Sequence, residues 1–159
     1  MRTRTGAEFS PCRTWRYALW RYWSEGPRIA FIGLNPSTAD ETRDDPTVRR
    51  CIGFARSWGF GGLYMLNAYA FRATLPADLK SAPDPVGPQQ DRRLRHYVRR
   101  ADALIAAWGT HCDPQRATRI CTLLRQRLDC LGRTKNGSPC HPLYLSKTTE
   151  RELFYTPSP

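Results

Sequence analysis

Apolar residues fall along the chain in short blocks that alternate between two periods. Ile29-Ala30-Phe31-Ile32-Gly33-Leu34, Leu63-Tyr64-Met65-Leu66 and Ala103-Leu104-Ile105-Ala106-Ala107-Trp108 are continuous apolar runs, the mark of strands buried on both faces. Between them, apolar residues recur three and four apart: Val48, Cys51, Ile52, Ala55 and Trp58, then Leu94, Tyr97 and Val98, then Ala117, Ile120, Cys121, Leu124 and Leu128. That spacing predicts helices with one inward face. Asp45-Pro46 and Asp113-Pro114 open two of them as an N-cap followed by proline at the first helical position, and Gly59 closes the first. Residues 128–131 start a fourth strand. Trp15, Ala18, Leu19, Tyr22 and Trp23 also fit helical spacing, with Arg13, Arg16 and Arg21 mostly off the stripe. The pattern therefore predicts a helix there, ending near Gly26-Pro27, and a last short helix over residues 148–154. Residues 75–88, rich in Pro and Asp, read as a surface loop, and residues 134–137 as a turn.

Buried strands alternating with amphipathic helices indicate βαβ units. The expected fold is α/β, a three-layer αβα domain around a central, mostly parallel, four-stranded sheet, with residues 1–159 as one domain. Right-handed crossovers bring the carboxyl ends of parallel strands to one edge, where ligands of open α/β sheets bind. Three turns expected there carry distinctive residues: Asn35-Pro36-Ser37, Asn67-Ala68 and Trp108-Gly109.

Charge adds a partner. The chain has 25 Lys and Arg against 14 Asp and Glu, a formal net charge of +11, and only Lys80, Lys135 and Lys147 are lysines. Arginine's planar fork suits bidentate phosphate contacts, so a nucleic acid or another polyanion is the expected partner from charge. An arginine-biased coding composition gives the same ratio without any such partner. No apolar run approaches the roughly 20 residues of a membrane helix, and no apolar stretch follows the N-terminal residues 1–8, so a soluble, cytoplasmic, monomeric protein is expected. The six cysteines form no C-x-x-C pair and read as reduced thiols. His111-Cys112 and Cys140-His141 are adjacent pairs whose side chains diverge on an extended chain, so no metal site is expected. The chain lacks a P-loop, a G-x-G-x-x-G turn and a G-x-S-x-G elbow, which leaves no cofactor implied.

What remains at the strand ends is two Asn, a His and several acids. Side-chain amides present a donor and an acceptor in fixed geometry, which suits the edge of a pyrimidine, although a single Asn after a strand is more often a turn residue. Gly33-Leu34-Asn35-Pro36 resembles the first motif of uracil-DNA glycosylases, a strand ending in G-x-[D/N]-P. Leu66-Asn67-Ala68, followed by Arg72, is similar to the segment whose Asn reads the base edge. The apolar run ending in Trp108-Gly109 resembles a third element of that superfamily, and His141-Pro142 its second catalytic motif. Asn35-Pro36-Ser37-Thr38-Ala39-Asp40 with Asp44-Asp45-Pro46-Thr47 looks more specifically like the domain of unknown function 1643 family of bacteria and phages.

The resemblance implies a monofunctional DNA glycosylase, an N-glycosyl hydrolase acting on a modified or mismatched base flipped out of DNA, and so DNA, single- or double-stranded, as the partner. Asn35 and His141 would be catalytic, the first orienting water at the sugar carbon, the second stabilising charge on the departing base. Asn67 would read the base, with Gly33, Pro36, Ser37, Trp108 and Pro142 around it. Ser37 stands where uracil-specific enzymes carry a Tyr, which implies room for 5-substituted bases. Leu143 or Tyr144 would be the wedge that fills the vacated stack. Two features depart from the superfamily: residues 132–138 separate the fourth strand from His141, and Leu-Tyr follows Pro142. An amide is no base at neutral pH, so Asp40 or Asp44 is the alternative acid, while Asp45 reads as a helix cap. The competing classes are a hydrolase or binding protein for a free modified nucleotide and a non-catalytic nucleic-acid-binding module.

Overall fold

A computed structural model describes residues 4–159; Met1, Arg2 and Thr3, the start of the N-terminal stretch weighed above, lie outside it. The strands are β1 (Arg4–Phe9), β2 (Arg16–Tyr22), β3 (Arg28–Gly33), β4 (Gly62–Asn67), β5 (Ala103–Ala106), β6 (Leu128–Cys130) and β7 (Glu152–Tyr155). The helices are α1 (Pro46–Ser57), α2 (Pro76–Ser81), α3 (Gln90–Val98) and α4 (Pro114–Leu124). All strands join one sheet in the order β1-β2-β4-β3-β5-β6-β7.

The fold is mixed α/β, and the sheet differs from the four-stranded, mostly parallel one that the pattern predicts. The four expected strands do pair in parallel, β4 with β3, β3 with β5 and β5 with β6. Three further strands extend them by antiparallel pairing, β2 on β4, β1 on β2 and β7 on β6.

Residues 16–22 are thus a strand, not the predicted helix. Both faces of β2 are covered: Ala18, Trp20 and Tyr22 pack with the core on the α3 and α4 side, and Leu19 with the core on the α1 side. A strand buried on two faces loses its alternation, and Tyr17, Trp20 and Tyr22 favour extended backbone. The tail is a strand as well: β7 pairs with β6 where residues 148–154 were expected to be helical, and Phe154 meets Trp108 edge-on at 5.7 Å. The loop over 75–88 contains the six-residue α2.

Two apolar cores flank the sheet. Phe31, Leu63, Met65 and Ile105 face α1 through Val48, Cys51, Phe54 and Ala55. Ile32, Leu66, Leu104 and Ala106 face α3 and α4 through Leu94, Tyr97, Val98, Ile120 and Leu124. The chain leaves β3 through α1 to reach β4 on one side, then returns through α3 to reach β5 on the other. Strand order therefore reverses at β3, and the crevice beyond its carboxyl end is where such sheets bind ligands.

Candidate functional site

A cavity of about 300 Å³ opens at that point. The ladder between β3 and β4 continues past the strand ends into its walls: Ala68 N–H donates to Gly33 O at 2.8 Å, Tyr69 N–H to Leu34 O at 2.9 Å, and Ala73 N–H to Pro36 O at 3.0 Å. These bonds hold the Asn35-Pro36-Ser37 turn against the loop after β4. The cavity is lined by Gly33, Asn35, Pro36 and Ser37 from the first turn and by Asn67 from the second. His141 lines it as well.

Asn35 is anchored by its amide nitrogen, which donates to Ala73 O at 2.7 Å and to Pro36 O at 3.0 Å. Both partners are carbonyls, so the amide orientation is fixed and both hydrogens are used. The group Asn35 has left to offer is Oδ1, an acceptor. Asn67 is nearly fully buried, its backbone carbonyl held by the Gln90 amide at the start of α3, and its Nδ2 has no partner. Gly33 is what admits that side chain, because a Cβ there would stand 3.0 Å from Asn67 Oδ1.

Residues 132–138 lie between β6 and His141. They fold back on themselves, Thr134 N–H donating to Ser138 O at 2.8 Å and Cys140 N–H to Gly132 O at 2.9 Å, so the chain rejoins the end of β6 at Cys140. Gly109 N–H then docks the segment by donating to Pro139 O at 2.9 Å. His141 Nδ1 accepts the Leu143 N–H at 3.2 Å, which puts the proton of the neutral ring on Nε2. Burial pushes the His141 pKa below its ordinary 6.5, and Asp45 pulls it part of the way back. At neutral pH this side chain is an uncharged N–H donor.

Several expected site residues stand elsewhere. Trp108 is buried against Phe154 in the core on the α3 and α4 side and does not line the cavity, and neither does Gly109, whose N–H holds the segment that precedes His141. Pro142 is buried outside the cavity lining. Leu143 and Tyr144 line a separate groove against α1, beside Arg49, Arg50 and Lys147, and Tyr144 is 91% exposed. Neither alternative acid lines the cavity. Asp40 Oδ1 accepts the Thr42 and Arg43 N–H groups at 3.0 and 2.8 Å, and Asp44 pairs with Arg21 at 2.8 Å.

The cavity's carboxylate is Asp45. Its Oδ1 accepts the Val48 N–H at 2.8 Å, so the cap expected of it is there, and the same side chain lines the cavity. Asp-Pro-x-x at a helix start signals a cap and nothing more, which is why the second placement was not legible. Arg16 was missed for another reason. A register shift between β1 and β2 skips Tyr17, pairing Glu8 with Ala18 and Phe9 with Arg16. Bulges of this kind re-aim side chains; Arg16 reaches Ala39 O at 3.0 Å and lines the cavity, where the helix reading had it off the buried stripe. His111 lines the exposed rim. Among the described residues no group of three or more His, Cys, Asp and Glu is placed to hold a metal, and no helix is long and apolar enough to cross a membrane.

No curated protein and no solved structure matches this chain. The model of one family, described as a protein of unknown function (DUF1643), matches residues 16–143, a span that begins at Arg16 and takes in His141. The chain belongs to the DUF1643 family.

Proposed function

We propose that this member of the DUF1643 family is a monofunctional glycosylase of the uracil-DNA glycosylase type, hydrolysing the N-glycosidic bond of a modified or mismatched base flipped out of DNA. The observation that carries the proposal is the meeting of Asn35 Oδ1, the Asn67 amide and a neutral His141 in one cavity at the strand ends. Each offers an uncharged polar group in fixed orientation, which is what reading and releasing a base requires.

In this mechanism Asn67 binds the edge of the flipped base. The water oxygen bonds to the sugar C1′, the C1′–N bond breaks, and its electron pair leaves with the base. His141 Nε2–H donates to the base oxygen on which charge develops, an interaction that strengthens toward the transition state. Asn35 Oδ1 accepts a hydrogen bond from the water and orients it but does not take its proton. Asp45, the one carboxylate among the described residues lining the cavity, is the group suited to receive it. The Ser37 hydroxyl lies 3.5 Å from Thr74 Oγ1, and its small side chain leaves space beside the base for a 5-substituent.

A free nucleotide is the second reading, favoured by Arg16 and Asp45 sharing so small a cavity. One experiment separates the two. Duplex and single-stranded DNA carrying a panel of modified and mismatched bases is incubated with wild type and with Asn35→Ala, then treated with alkali to cleave abasic sites. Cleavage by wild type alone supports the glycosylase; no abasic product from any base refutes it. DNA binding should also weaken steeply with added salt, since each neutralised phosphate releases counterions.

A further inference from the structure

Three arginines are buried among the described residues, and two of them have an evident internal purpose. Arg21 pairs with Asp44 at 2.8 Å and donates to the carbonyls of Asp40 and Arg43; Arg116 pairs with Asp91 at 2.7 Å and donates to Ala68 O at 2.8 Å. Arg16 is the exception. It is 2% exposed, donates one hydrogen bond, from Nη1 to Ala39 O, has no carboxylate within 4.0 Å among the described residues, and leaves Nε unpartnered. A guanidinium taken out of water without an anionic partner is costly, and such groups recur where the partner is a ligand.

We propose that the strand-end cavity receives a ligand bearing an anionic group, a phosphate or a carboxylate, and that Arg16 is the residue that binds it. The proposal rests on the cavity being the ligand site, as in the reading above, and not on any bond being cleaved there. Two further features favour it. Thr47 and Val48, from the first turn of the 12-residue α1, line the same cavity, so the positive end of that helix faces the ligand. Asn67, 3% exposed, brings a second orphaned donor to the same walls. Asp45 shares the cavity and its charge partly offsets the burial of Arg16, but its Oδ1 is held by the Val48 N–H and it forms no ion pair with Arg16, so the guanidinium still lacks a direct anionic partner among the described residues. Burial lowers the Arg16 pKa to about 10, which still leaves the guanidinium protonated at neutral pH. The bulge that turns Arg16 toward the cavity sets this geometry at the level of the backbone.

The anion has two chemically distinct sources, the 5′-phosphate of a nucleotide and a carboxylate carried on the base. Isothermal titration of the full chain at pH 7.5 compares neutral with anionic members of matched pairs: uridine with uridine 5′-monophosphate, guanosine with guanosine 5′-monophosphate, and uracil with 5-carboxyuracil. In at least one pair the anionic member should bind about tenfold tighter or more, the scale of a hydrogen bond to a charged group. Preference within a nucleoside pair assigns the phosphate; preference within the last pair assigns the base carboxylate. Arg16→Met should remove the preference without abolishing binding of the neutral member, and Arg16→Lys should keep part of it. Should Arg16→Met not fold, the wild-type pairs and Arg16→Lys still decide. Equal binding within every pair, no binding by any probe, or a preference that survives in a folded Arg16→Met would each overturn the proposal. The outcome is independent of the abasic-site assay, so an anion preference without base release refutes the glycosylase alone.

Discussion

Replacing Asp45 by alanine and, separately, by asparagine takes apart the two duties of this side chain. Alanine removes the N-cap of α1, leaving the Val48 N–H without its 2.8 Å partner at a buried helix end. Loss of such a cap costs about 0.5–2 kcal/mol. For a domain of this size about 1 kcal/mol lowers Tm by roughly 2–4 °C. Asparagine keeps an acceptor oxygen in the same place and caps about as well, so its Tm should stay within about 2 °C of wild type. Only the charge is gone. The charge is felt by His141, whose pKa burial lowers and Asp45 partly restores, and by Arg16, where Asp45 is the foremost influence opposing burial. In Asp45→Asn the His141 ring should therefore titrate at lower pH than in wild type, followed by NMR of its ring protons. If the carboxylate also accepts the proton of the attacking water, base release should fall by about 10²–10⁴-fold, the usual share of general-base catalysis. The reasoning is refuted by an asparagine variant with wild-type titration of His141 and wild-type turnover. It is refuted in its other half if asparagine destabilises as much as alanine.

Gly33→Ala should leave the fold intact, since a strand backbone accepts alanine, while the new Cβ, 3.0 Å from Asn67 Oδ1, displaces that amide; Tm should move by no more than about 4 °C, and affinity for the tightest-binding nucleotide should drop by about tenfold, read by titration. His141→Gln should change the acid limb of stability. The folded-state pKa of His141 lies below 6.5, so the unfolded chain takes up the proton first as pH falls. Wild type is thus undisturbed above that value and loses stability as pH drops from it through the folded pKa, and the Gln variant should lose less over that window in urea melts at stepped pH. Arg21→Met should be the most destabilising of these changes, about 3 kcal/mol or 6–12 °C in Tm, because it orphans the Asp40 and Arg43 carbonyls and the Asp44 carboxylate together; a change below about 1 kcal/mol would show that the 40–44 loop is held by something else.

The parallel centre of the fold was legible because its signals are local. Each of β3, β4 and β5 is a continuous apolar run, and Asp45-Pro46 and Asp113-Pro114 mark helix starts whose side chains do accept the expected N–H bonds. The flanking strands were not legible, for physical reasons. In β1 the run Arg-Thr-Gly-Ala-Glu-Phe has neither apolar continuity nor clean alternation, and Gly6 is there because Trp20 lies across it, a Cβ standing only 2.4 Å from that ring. β2 has apolar residues at positions that fit a helix as well as a doubly buried strand, and only pairing with β1 and β4 decides between them. β7 owes its shape to the edge of β6, whose paired residues lie 22 to 27 positions earlier.

The same division runs through the site. Asn35, Asn67 and His141, which stand at strand ends and could be read as a set, contribute uncharged donors and acceptors. Both formal charges in the cavity come from positions that local pattern assigned to other work, Asp45 to a cap and Arg16 to the outside of a helix. Arg16 lies on the part of the sheet that the sequence concealed, and it reaches the cavity through a bulge that depends on pairing with β1. An uncharged set of this kind can hold many bases with similar strength, since each contributes neutral hydrogen bonds of about 0.5–1.5 kcal/mol. A buried guanidinium discriminates more sharply, because a ligand without an anion leaves it unpaired. On the proposed reading, the choice of ligand is therefore set by the antiparallel edge of the sheet, and the choice of reaction by its parallel centre. Grafting the three strand-end motifs onto another parallel sheet should reproduce base contacts without the anion preference, because nothing in those motifs carries the charge.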